Sequence, residues 1–181
     1  MEWVSIFAGL PFDASPVCTD SVVAAYARAL NDVLPDDQRQ RLIPFIPRLA
    51  TTANGCPPYK RALLCADVAV CVFAPAALRA AGLEEWAGKL AGLPEITDGG
   101  AARPAALAAT SAAGAASRVA ARAFEATSAG GSPARVIGAS ELAADAATRA
   151  AAGAARVAAP ARADEIWDAA IALLDRLIEL H

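Results

Sequence analysis

Residues 59–81, YKRALLCADVAVCVFAPAALRAA, constrain the fold more than any other stretch. The run is the longest apolar one in the chain and is apolar nearly all round, the pattern of a helix enclosed by other helices. Pro57 and Pro58 give it a hard start. Leu63, Leu64, Val68, Cys71, Val72 and Leu78 recur at helical spacing, while Val70 and Phe73 fill the remaining sides. Pro75 removes a backbone donor and predicts a kink or an end to the first part. Asp67 sets a carboxylate in an otherwise apolar turn, where burial demands a partner. Arg28 and Arg79 are the expected partners, so Asp67, Arg28 and Arg79 form a candidate buried polar site. As a membrane span, residues 62–78 fall short of the ~20 apolar residues required, and they contain Asp67 and Pro75. No membrane partner is therefore expected.

The rest of the chain supports an all-α fold: an Ala-rich multi-helix bundle with an irregular N-terminal arm. Alanine dominates after residue 100, and it is the strongest helix former because it loses no side-chain entropy. Alternating β-branched runs are nearly absent. Aromatic residues make up only 6% of the 181, so the core must rest on Leu, Val, Ile and Ala. Residues 1–100 read as a helical core with its arm, and residues 101–181 as an Ala-rich helical hairpin plus an amphipathic helix, packed together as one domain.

In the arm, Gly9, Pro11 and Pro16 argue against a helix. Trp3, Ile6, Phe7 and Phe12 are expected to plug a groove of the bundle; the alternative is a partner-binding arm using Trp3 and Phe12. Thr19 or Asp20 caps the next helix, with Val23, Tyr26, Leu30 and Val33 as its buried stripe and Arg28 and Asp32 paired outside. A further helix from Asp37 to about Ile43 runs into Pro44 and Pro47, where it must break. Gly82 stops the central helix, and residues 83–93 form a short amphipathic one. Two alanine helices, over residues 101–126 and 134–157, carry few large anchors and are expected to be the most mobile part; Asp145 and Arg149 pair on the second. The last helix, residues 164–180, presents Trp167, Ala170, Ile171, Leu174, Leu177 and Ile178 on one face. Asp164, Asp168, Asp175 and Glu179 line the other, either as a solvated back or as a docking stripe for the arginine-bearing alanine hairpin or for an external basic partner.

The stretch FAGLPFDASPVCTDSVVAAYARALNDVLPDDQRQRLIPFIPRL and the ending LLDRLIEL resemble uncharacterised Ala-rich helical proteins of high-GC bacteria and their phages. That resemblance covers about half the chain and implies no activity or catalytic residues. LLCADVAVCVF followed by alanine helices is similar to Ala-rich immunity proteins of toxin systems.

Candidate chemistry is sparse. The single His is His181, and neither a phosphate-binding glycine loop nor a nucleophile elbow is present. Cys18, Cys56, Cys65 and Cys71 match no zinc spacing and are expected as reduced thiols. Asp67 lies one turn from Cys71, which would raise that thiol's pKa and not activate it. No catalytic residue, metal or cofactor is assigned. The net charge of −3 argues against nucleic acid, although residues 101–163 carry a local excess of arginine. Met1-Glu2-Trp3 lacks the basic opening of a secretory signal, which makes the cytoplasm the expected location. The expected function is a non-enzymatic protein-interaction module: an adaptor, a scaffold or an immunity-type inhibitor, with homodimerisation through the small-residue helices. The alternatives are a small enzyme or ligand-binding protein around Asp67, and weak nucleic-acid binding through the arginine-bearing helices.

Overall fold

A computed structural model describes residues 1–80, 82–102, 104–105, 108, 144–145, 147–156, 158 and 160–181. Among the described residues the regular structure is helical throughout. The elements are α1 (Glu2–Phe7), α2 (Ser21–Val33), α3 (Asp36–Arg39), a 3₁₀ segment (Gln40–Phe45), α4 (Ile46–Leu49), α5 (Pro58–Val68), a π-helical segment (Ala69–Phe73), α6 (Ala74–Ala80), α7 (Glu84–Ala91) and the last helix α8 (Pro160–Glu179). Most of the expected alanine helix 101–126 and half of the expected helix 134–157 lie outside the described residues, and so do Arg103, Arg118, Arg122 and Arg135.

The central helix does not end at Pro75. It runs from Pro58 to Ala80 because the chain widens into a π turn just ahead of the proline. A proline ring normally strikes the carbonyl four residues back, here that of Cys71. In the π segment the N–H of Ala74 donates to Ala69 O, five residues back, and the wider turn makes room for the ring. At 23 residues the helix is long and apolar enough to cross a membrane, which corrects the shorter span read from the sequence. Here it is a core helix: Cys65, Val68, Ala69, Val70 and Phe73 are buried. Gly82, at φ 75°, closes α6 with Leu83 N–H bonded to Leu78 O at 2.9 Å.

Two apolar clusters follow. The larger joins Val4 of α1, α2, Leu49 of α4, α5, the alanines of 144–155 and the inner face of α8. The smaller joins Val70 and Leu78 to Ala87 and Leu90 of α7 and to Ile96, Ala102 and Ala105. Asp20 caps α2 by accepting from Val22 N–H at 2.9 Å and Val23 N–H at 3.1 Å. Val23, Tyr26 and Leu30 are buried as their spacing indicates, and the Tyr26 hydroxyl donates to Ala170 O of α8 at 2.8 Å. Trp167, Ala170, Ile171, Leu174, Leu177 and Ile178 are all buried. The Asp145–Arg149 pair also forms. α8 begins at Pro160, four residues before the expected start at residue 164, since a proline is accommodated at the first helical position.

The side chain that ties these pieces together is Arg61, fully buried in α5. Its Nε donates to Leu177 O at 3.0 Å, and Nη2 donates to Leu180 O at 2.8 Å and Asn54 Oδ1 at 3.2 Å. Nη1 stands 3.0 Å from Asp20 Oδ2. That last contact is charge against charge and not an aligned hydrogen bond, since Nη1 makes no hydrogen bond. One guanidinium therefore joins the N-cap of α2, the 52–54 loop and the carbonyl end of α8, where a helix dipole favours a cation. Removing one member of a buried pair leaves the other charge unsolvated, at about 3–5 kcal/mol. Arg61→Ala should lose that much in urea unfolding. Asp20→Asn, which keeps an α2 cap, should lose about 3 kcal/mol for the same reason. A loss below about 1 kcal/mol in both would show that the pair does not hold the fold.

Candidate functional site

The N-terminal arm differs from its expected form. Residues 2–7 are helical, and the helix closes where Gly9 takes φ 69° and Leu10 N–H bonds to Ser5 O at 2.9 Å. Val4 and Ser5 turn inward, Val4 towards the main core. Trp3, Ile6 and Phe7, at i, i+3 and i+4, form an outward stripe that is 70%, 52% and 59% exposed. Phe12 is 74% exposed. The four residues do not plug a groove; they project from the bundle.

The loop that carries Phe12 is pinned down. Ser5 Oγ donates to Asp13 O at 2.8 Å, and Ser15 N–H donates to Asp13 Oδ1 at 2.9 Å. Arg28 holds the next residues, with Nη1 donating to Ala14 O at 2.6 Å and to Ser15 Oγ at 2.9 Å. Arg28 is thereby engaged with neither Asp32 nor Asp67. Beside α1 lies a groove of about 640 Å³. Trp3 and Val4 line it from α1, and Leu42, Ile43, Ile46 and Leu49 from the 3₁₀ segment and α4, with Glu2, Asn31, Arg39 and Gln40 supplying its polar atoms. Ile43 is itself 56% exposed. Aromatic ridge and aliphatic groove thus share one surface, and Trp3 belongs to both.

The outer wall of that groove is a strap, residues 36–49. Pro44 and Pro47 break it into α3, the 3₁₀ segment and α4, in place of the expected continuous helix 37–43. The strap is held on α8 by ion pairs. Arg41 meets Asp168 at 2.7 Å, and Arg48 bonds Asp175 and, at 3.4 Å, Glu179. Three of the four members of the acidic stripe, Asp168, Asp175 and Glu179, thus face arginines of the same chain while staying partly exposed. Asp164 is exposed and makes no ion pair among the described residues.

The expected buried polar site does not assemble. Asp67 is half-buried and accepts from Ile96 N–H at 3.0 Å, which anchors the 93–97 loop. Arg79 lies 3.8 Å from Glu84 on the exposed end of α6. The buried charge that the fold does pair, Arg61 with Asp20, went unread in the sequence, where Arg61 stands near a helix start beside Lys60 and has the look of a surface residue. Cys71 is half-buried; burial first, then the charge of Asp67 and its hydrogen bond, push its thiol up to about 12. Burial likewise raises the thiol of Cys65, with a smaller contribution from the charge of Asp20. All four cysteines are free. Among the described residues no group of three or more His, Cys, Asp or Glu side chains could hold a metal ion.

Comparison of the chain with protein-family models, with curated proteins and with solved structures found no match in any of the three.

Two outcomes follow from this geometry. Asp175→Lys should lower stability by about 1 kcal/mol at low salt, and adding Arg48→Glu should restore most of it. Strictly additive losses in that double-mutant cycle would dissolve the strap–α8 contact. The raised Cys71 thiol makes the second prediction. Its folded pKa lies above that of a free thiol, so the folded state prefers the neutral thiol. Stability should hold below pH about 9 and fall as pH rises towards 12, and Cys71→Ala should flatten that fall in thermal melts across the range.

Proposed function

We propose that the chain is a protein-interaction module of a bacterial or phage system, without an enzymatic role of its own, acting as an adaptor, scaffold or immunity-type inhibitor. One observation carries this reading: Trp3, Ile6, Phe7 and Phe12 face outward on a pinned helix and loop, next to an aliphatic groove. Clustered aromatic side chains are the usual anchors of protein interfaces, since they bring large apolar area at little entropic cost. Backbone and side-chain bonds hold the arm before any partner arrives, so little ordering cost remains for binding. The polar alternatives have less support. Asp67 is occupied by Ile96 N–H, and the Cys71 thiol is driven away from thiolate.

The reading is tested by placing a photo-crosslinking side chain at Phe7 and, as a control, at Arg176 on the exposed side of α8. Irradiation of the protein in its host should yield a discrete crosslinked species from position 7 and not from position 176. Trp3→Ala should weaken that association by about 2 kcal/mol, the scale of an interface hot spot. Equal or absent crosslinking at the two positions would refute the reading.

A further inference from the structure

We infer that the occupant of the α1 surface is a second copy of this chain, giving a two-fold dimer in which α1 of each protomer meets the groove of the other; this rests on the interaction reading above. A two-fold interface uses the same patch twice, so the patch must complement itself. This one contains both halves of such a fit. The stripe of Trp3, Ile6 and Phe7 is a ridge, and the surface formed by Leu42, Ile43 and Ile46 is the groove beside it.

Area supports the same occupant. With a large aromatic side chain presenting about 150–250 Å², the uncovered parts of Trp3, Phe7, Phe12 and Ile6 come to roughly 500 Å² per copy. Two copies bring about 1,000 Å² before Ile43 and the groove walls are counted, which reaches the lower range of specific interfaces. About 500 Å² of exposed apolar surface on one short arm is near the upper end for a lone soluble chain. Charge points the same way. The groove lining carries one acid, Glu2, and two cations, Arg39 and the Met1 ammonium, and each cation is already paired, Met1 with Glu2 at 2.9 Å and Arg39 with Asp36 at 3.0 Å, so little charge is left to repel a second copy. A partner selected by electrostatic steering would instead meet a field of one sign.

The test is light scattering on the purified full chain from 1 to 100 µM, with circular dichroism as the folding control. The expected mass is twice 18.3 kDa. Phe7→Glu and, separately, Ile43→Glu should each weaken the dimer at least 100-fold and leave helicity unchanged, since both side chains are exposed. A monomer throughout the concentration range overturns the inference. So does a dimer indifferent to both substitutions. A photo-crosslinker at Phe12 should join two copies of the chain. Capture of a different chain, or a crosslink internal to one copy, overturns the dimer; the first of these leaves the interaction reading in force, whereas no crosslink at all removes both.

Discussion

The buried guanidinium of Arg61 is the contact on which the rest of the bundle depends. A fixed cation inside a largely alanine core is costly unless each donor meets an acceptor or a counter-charge. The acceptors come from parts of the chain far apart: Asp20 before α2, Asn54 in the loop before α5, and the carbonyls of Leu177 and Leu180 at the end of α8. Asn54 adds its own bond to Leu180 O at 3.1 Å. Because alanine side chains bury little area, such directional contacts carry more of the burden of fixing helix positions than they would in a Leu-rich core.

The prolines decide helix type and do not simply cut helices. Pro75 is absorbed by a π turn, so the central helix continues and spans both apolar clusters. Pro44 and Pro47 convert what could have been one helix into a strap of short α and 3₁₀ pieces. The register of that strap is set from outside. Arg41 and Arg48 stand seven residues apart and meet Asp168 and Asp175, also seven apart, on one face of α8. Asp168 and Asp175 stand two turns apart on α8, and the 3₁₀ segment and α4 together set Arg41 and Arg48 opposite them. The strap then forms the wall of the groove in which Ile43 and Ile46 face Trp3.

The half-buried carboxylate and thiol of the central helix are tied into the fold and to each other. Asp67 spends one oxygen on the Ile96 amide, and its charge helps keep Cys71 protonated. Among the described residues, large exposed apolar side chains concentrate on the arm and the strap, at Trp3, Ile6, Phe7, Phe12 and Ile43, with Val17, Tyr59 and Val72 besides. The proposed interaction role and its two-fold form both draw on that concentration.

Local pattern was enough for much of the fold. The all-α architecture, the α2 cap at Asp20, the buried stripe Val23–Tyr26–Leu30, the Gly82 stop, the Asp145–Arg149 pair and the inner face of α8 were all legible, because each depends on residues within a few turns of one another. A helical α1 was also within reach, since Gly9 sits where a left-handed closing residue belongs. What only the tertiary structure decided was the fate of each charge and each aromatic ring. Spacing says which residues share a face, but not which face meets a neighbour. Arg61 is buried because the end of α8 supplies carbonyls above it, and Asp168 and Asp175 are paired because the proline-broken strap lies across them. Trp3 and Phe7 stay exposed because Val4 and Ser5 already fill the inward side of α1. Those outcomes depend on contacts more than a hundred residues apart or on which side of a short helix docks, and neither quantity is written in local periodicity.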